Sequence, residues 1–215
     1  GRSKGAMLSH HNLSSNADVL HKAWAWTEND VLLHALPLFH VHGLFVASHA
    51  VLRSGARMIL LPKFDAKQCL HYLPQSTVMM GVPTYYVRLL QESQLNAALC
   101  TRMRLFISGS APLLMETFEA FRTRTGHTIL ERYGMSETTM LVSNPYQGHR
   151  KGGTVGLPLP GVSVRVVDHD GKPLPHGEIG GIEVKGPNVF QGYWRMPEKT
   201  AEEFTEDHYF KTGDM

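Results

Sequence analysis

The residues with most chemistry to offer fall in four short runs. Tyr133-Gly134-Met135-Ser136-Glu137-Thr138 brings together a flat aromatic, a hydroxyl and a carboxylate. An aromatic ring can stack on a purine, a hydroxyl can donate to a phosphate oxygen, and a carboxylate can hold Mg²⁺. Ser108-Gly109-Ser110-Ala111-Pro112 stands where an apolar strand gives way to a helix, a place where ligands gather in open α/β sheets and where helix N-termini favour anions. Gly1-Arg2-Ser3-Lys4-Gly5 reads as the end of a phosphate-binding loop: glycines admit close approach, backbone N–H groups form a cradle, and a Lys adds a point charge. Its Ser-Lys-Gly order is not the Gly-Lys-Ser/Thr order of a Walker loop. Thr212-Gly213-Asp214 could present a carboxylate to ribose hydroxyls. Each run also has a plain alternative: a turn, or a polar loop that closes a strand with Glu137 solvated.

The thirteen histidines invite a metal reading. His40 and His42 flank Val41, which in a strand would put both on one face. No third and fourth ligand follow at recognisable spacing, and Cys69 and Cys100 form no Cys/His cluster, so a zinc site is not expected.

The elements that must position these residues follow from periodicity. Leu13, Ala17, Leu20 and Trp24 recur on one helical face, and Leu114, Phe118 and Phe121 do so after Pro112, with Gly126 as the stop. Between the helices lie apolar runs at 31–38, 58–61, 77–80, 104–107 and 128–130, typical of strands covered on both faces. The alternation predicts an α/β layered architecture with a mostly parallel sheet over residues 1–151. From 152 to 215 the character changes to Gly/Pro-rich turns and short alternating strands: Val162, Val164 and Val166 would share a face, and 179–185 is a further strand. This part is expected to be a small β-rich, barrel-like subdomain.

A chain of 215 residues, 42% hydrophobic and 19% charged, fits a globular protein with a sizeable core. The net charge of +2, without a basic stripe, excludes a nucleic-acid surface as the leading expectation. No apolar run reaches membrane-spanning length. The two cysteines sit outside any C-x-x-C pair and favour a reducing compartment, cytoplasm or mitochondrial matrix.

Taken in order, GRSKGAMLSHHNL, LPLFHVHG, GVPTYY, ISGSAPL, ERYGMSET, GTVGLPLPGV, GEIGGIEVKGPNVFQGYW and YFKTGDM resemble the ANL superfamily of adenylate-forming enzymes, which holds acyl-CoA synthetases, peptide-synthetase adenylation domains and luciferases. The resemblance implies ATP, Mg²⁺ and coenzyme A as reactants and cofactor. It places Lys4 on the β- and γ-phosphates. Gly109, Ser110, Ala111 and Pro112 fall on one face of adenine, and Tyr133 and Gly134 on the other. Glu131 falls near the adenine amino group, Ser136 at the α-phosphate or acyl carboxylate, Glu137 on Mg²⁺ and Asp214 on the ribose.

Within the superfamily the likeness is greatest to malonyl-CoA synthetases, through 130–135, 39–43 and 82–86. A buried second carboxylate needs a cation, and Arg offers a bidentate fit. Arg132 is the preferred candidate and Arg88 the other, with His40, His42 and Met135 walling the acyl pocket. Aryl- or fatty-acyl ligation, peptide-synthetase adenylation and a non-catalytic nucleotide-binding fragment are the alternatives. In the family further segments precede Gly1 and follow Met215, including a C-terminal domain that carries a catalytic Lys, so the chain is expected to be a central piece, inactive alone.

Overall fold

The computed structural model describes residues 3–215. Ser9 caps the first helix, α1 (His10–Ala23): its Oγ accepts from the Asn12 N–H at 3.1 Å, and the Asn12 amide oxygen accepts the Ser9 N–H at 2.8 Å. This reciprocal pair satisfies two otherwise orphaned donors. The buried face of α1 keeps Ala17, Leu20 and the C-cap Trp24 of the apolar stripe, but Leu13 is only half-buried and Asn12 and Asn16 are buried beside them. Asn12 Nδ2 donates to the Pro187 and Val189 carbonyls at 2.7 and 2.9 Å, and Asn16 Nδ2 donates to Met140 O at 2.8 Å. Two polar residues thus tie α1 to distant chain segments without leaving buried amides unpaired.

Strands β1 (Val31–His34), β2 (Arg57–Leu60), β3 (Val78–Gly81), β4 (Leu105–Ser108) and β5 (Leu130–Met135) pair in parallel, in the order β2-β1-β3-β4-β5. β6 (Thr139–Ser143) and β7 (Leu157–Pro158) extend the sheet antiparallel from β5. Alternation along the strands sorts the core into two. Leu33, Met79 and Phe106 face α3 (Ala66–Tyr72), α4 (Pro83–Gln91) and α5 (Met115–Thr125). Leu32, Val78, Met80, Leu105 and Ile107 face α1 and α2 (Ser48–Ser54). Covering both faces is what nearly continuous apolar strands require.

A second sheet of β8 (Ser163–Val167), β9 (Gly181–Lys185) and β10 (Phe210–Lys211) is antiparallel, in the order β10-β9-β8; the short α6 (Pro197–Glu203) precedes β10. It is an open three-stranded sheet among the described residues, not the barrel expected. Nor does the sheet change where the composition does: β7, at 157–158, still belongs to the seven-stranded sheet. A third core joins the two sheets through Leu141, Val142, Val184, Phe190, Tyr193 and Phe210.

Two further expectations shift. α5 starts at Met115, not at Pro112, and Leu114 is 68% exposed. Ser110 takes a left-handed φ of 67°, so 109–114 run as non-helical chain and Leu113 takes the buried place instead. His40 and His42 do not alternate along a strand. β1 ends at His34, and His42–Ala47 form a π-helical turn that continues into α2.

Candidate active site

The carboxyl ends of β3, β4 and β5 open into two adjoining cavities. One, of about 630 Å³, is lined by His40, His42, Val82, Tyr85, Ser136 and Glu137. The other, of about 520 Å³, is lined by Ala111, Pro112, Glu131, Tyr133, Val155 and Asp214. Ser110, Arg132, Gly134 and Met135 wall both. Three of the four runs, 108–112, 133–138 and 212–214, therefore meet at one end of the sheet, where α/β folds collect ligands.

The hairpin from β5 to β6 delivers most of the site. Tyr133, Gly134 and Met135 lie in β5 itself, not in a loop beyond a strand; only 136–138 form the turn. The register shifts between Tyr133 and Gly134. Such a bulge re-aims side chains next to functional clefts. The Tyr133 hydroxyl donates to Asp214 Oδ2 at 2.6 Å. Burial holds the Tyr133 phenol protonated, well above its usual range, and the Asp214 carboxylate adds to this. Glu131 is buried, its Oε1 accepting the Gly153 N–H at 2.9 Å, and burial raises its carboxyl above the ordinary value.

Arg132 is only 2% exposed, and none of its three guanidinium nitrogens has a hydrogen-bond partner. Desolvation lowers its pKa to about 10, still charged at neutral pH. A buried, unpaired cation is costly, and an anion in the cavity would relieve it. His42 lies in the same wall with Nε2 buried and unpartnered and Nδ1 3.4 Å from Ser110 Oγ. Burial, then the Arg132 charge, keeps this imidazole neutral, well below its usual pKa. His40 is exposed at the mouth. Arg88 lies outside both cavities: it is exposed, and its guanidinium lies 4.9 Å from the Phe64 ring centroid. At the sixth position of α4 its side chain lies against Phe64, which precedes α3.

Glu137 is half-buried; its Oε1 accepts from the Tyr193 hydroxyl at 2.9 Å, and Oε2 makes no hydrogen bond among the described residues. A carboxylate oxygen at a cavity wall suits a hard cation such as Mg²⁺. Lys4 is exposed, with Nζ 3.3 Å from the same Tyr193 hydroxyl and 4.5 Å from its ring centroid. Gly1 and Arg2, the start of the expected phosphate loop, lie outside the described residues. Sequence reasoning assigned no role to Tyr193; its signal was the hydroxyl of an aromatic flanked by Gly192 in the Gln191-Gly192-Tyr193-Trp194 run. Among the described residues the one cluster with metal-ligand spacing is Asp168, His169 and Asp170, two of them exposed, in a loop.

A doubly covered parallel sheet with a ligand crevice at its strand ends defines an α/β binding fold. The AMP-binding enzyme profile matches residues 1–194, and the chain belongs to that family. The mouse protein named mitochondrial malonate–CoA ligase ACSF3 is 41% identical over all of this chain and 43% of its own length. The malonate–CoA ligase of Arabidopsis thaliana is 42% identical over all of this chain and 38% of its own. ATP-bound MatB from Rhodopseudomonas palustris superposes with a TM-score of 0.98 at 59% identity, covering 99% of this chain and 42% of that structure. The chain thus spans less than half the length of the relatives it matches.

Proposed function

We propose that the full-length protein activates malonate, or a short 2-substituted malonate, with ATP and transfers the acyl group to coenzyme A. The observation that carries this reading is Arg132: a buried guanidinium with no protein partner, in the wall of the cavity that also holds Ser136 and Glu137. An apolar acid gives no reason to keep a cation there; a second carboxylate does. The names of the mouse and Arabidopsis relatives support the same acid, as does a malonyl-CoA ligase structure with methylmalonyl-CoA and AMP bound, 40% identical at a TM-score of 0.92.

In this reading the distal carboxylate pairs with Arg132, and His40, His42 and Met135 shape the pocket. The reacting carboxylate then points toward Ser136 and the junction of the two cavities. The adenine lies between Tyr133 and 109–112, with its amino group donating to Glu131, and Asp214 accepts from the ribose hydroxyls. A substrate carboxylate oxygen attacks the α-phosphorus, the bond to the β-phosphate oxygen breaks, and pyrophosphate leaves. The thiol of coenzyme A next attacks the acyl carbon of the mixed anhydride, and AMP departs. Ser136 donates to the α-phosphate, and Lys4 offsets charge on the β- and γ-phosphates. Mg²⁺ held by Glu137 would supply further charge neutralisation. Catalysis here is positioning and electrostatics in a partly dry site.

The test is ATP–pyrophosphate exchange by the full-length protein with malonate, methylmalonate, butyrate, benzoate and palmitate. Malonate or methylmalonate should support the highest kcat/KM. Preference for palmitate or benzoate overturns the dicarboxylate reading and leaves acid activation standing.

A further inference from the structure

We propose that Tyr193 is a positioning residue that fixes the Glu137 carboxylate, so that one oxygen is tied to protein and the other is presented to a divalent cation. This rests on the reading of Glu137 as the metal ligand. Tyr193 is 3% exposed, and its hydroxyl sits between two functional candidates, donating to Glu137 Oε1 at 2.9 Å and accepting from Lys4 Nζ at 3.3 Å. A hydroxyl that accepts from an ammonium is polarised to donate more strongly, so the chain of contacts firms the hold on Glu137.

The fold does not need that hydroxyl. The segment around Tyr193 is already fastened to the hairpin turn without it: the Phe190 backbone N–H donates to Glu137 O at 2.7 Å, and the side-chain Nδ2 of Asn188 donates to Thr138 O at 2.6 Å. It is fastened to the N-terminal segment too, through Met7 N–H to Gly192 O at 2.9 Å and Trp194 N–H to Gly5 O at 2.7 Å. The Tyr193 ring packs edge-on against Phe190, centroids 4.8 Å apart, and carries the Lys4 ammonium over its face. Phenylalanine would reproduce all of these contacts. What remains for the oxygen are Lys4 Nζ and the side chain of Glu137, whose carboxylate makes no other hydrogen bond among the described residues. A ligand carboxylate held by an outer partner binds metal more tightly than one that must be ordered on binding.

The experiment uses the full-length protein, with Mn²⁺ as a paramagnetic stand-in for Mg²⁺. Bound Mn²⁺ is counted by electron paramagnetic resonance in the presence of a non-reactive ATP analogue. Tyr193→Phe should weaken Mn²⁺ binding about 10- to 100-fold. Binding of the analogue in EDTA, and the thermal midpoint, should stay at wild-type values. Glu137→Gln should lose the Mn²⁺ site, and adding Tyr193→Phe to it should change nothing more. Unchanged Mn²⁺ affinity in Tyr193→Phe, while Glu137→Gln loses it, overturns the positioning role alone. Wild-type Mn²⁺ binding in Glu137→Gln overturns the metal reading of Glu137 and the proposal with it. Equal loss of analogue binding with and without metal shows Tyr193 acting on the nucleotide or the fold, and also overturns it.

Discussion

A Cβ placed on Gly109 would fall 2.6 Å from both Nε and Nη1 of Arg132. The guanidinium occupies the room that any larger residue at 109 would need, so the glycine at the end of β4 admits the cation to the wall of both cavities. The sequence reading gave Gly109 a place beside adenine; its packing partner in the structure is Arg132.

Gly109→Ala should therefore act on the acid, not only on the nucleotide. A guanidinium pushed by an ångström loses its fit to a carboxylate, and such misplacement costs up to about 100-fold. In steady-state kinetics of the full-length protein, kcat/KM for malonate should fall about 10- to 100-fold, while that for butyrate falls far less. Equal losses would mean that the alanine disturbs the adenine slot instead.

Arg132→Met removes the cation and fills part of its volume. Loss of one partner from a desolvated charge pair costs about 2–5 kcal/mol, roughly 30- to several-thousand-fold in specificity for malonate over butyrate. Without ligand the same change should raise stability, because an unpaired buried charge disappears; gains of about 1–4 kcal/mol accompany such replacements. Calorimetry without substrate reads the second effect. Arg88→Leu is the matched control: its guanidinium rests on Phe64 outside both cavities, so it should spare malonate selectivity. A selective loss in Arg88→Leu alone would relocate the carboxylate site.

Much of this geometry was legible in the sequence, and the rest was hidden for identifiable reasons. Five apolar runs gave the parallel strands: β1, β3 and β4 are fully buried, while β2, at the sheet edge, is apolar but only half-covered, with Arg57 and Leu60 exposed. β6 escaped notice although all five of its residues are buried, since Thr139 and Ser143 break its apolar pattern. The barrel expectation failed because turn signals reveal hairpins, not closure. Asn12 and Asn16 were invisible as core residues because their partners are carbonyls more than a hundred positions away. The place of Arg132 in the acyl pocket was read from likeness; its reach into both cavities and its want of a partner could only come from coordinates.

Gly134→Ala tests the bulge. A Cβ there would land on the Thr139 carbonyl oxygen and 2.7 Å from Met140 Cε. The oxygen is backbone and cannot yield as a side-chain end would, so β5 and β6 must part locally. Overpacking of this kind costs about 1–3 kcal/mol. Denaturant titration should show that loss, and nucleotide affinity should fall with it because Tyr133 rides on the same strand. A stable variant with wild-type affinity would mean that the hairpin tolerates a different register.

Acid should weaken the fold early. Burial is the largest cause of a lowered pKa at His34, His42, His49 and His127, each below the ordinary 6.5. Above that value these rings are neutral in both states and add no pH dependence. As pH falls through 6.5 the unfolded chain takes up protons that the native state refuses, so stability drops. Each such ring contributes a slope of up to about 1.4 kcal/mol per pH unit, until its native form also protonates. His42 holds its shift over the widest window, since both burial and the Arg132 charge oppose its protonation. His42→Gln should flatten the curve between pH 6.5 and 5 by about one proton, measured by urea unfolding across that range. Asp30, held low by its bonds to Arg104 and Thr77 against the burial that opposes them, adds its own loss only below 3.8. A pH profile unchanged in His42→Gln would show that this ring is protonated in the native protein, with a counter-charge close by.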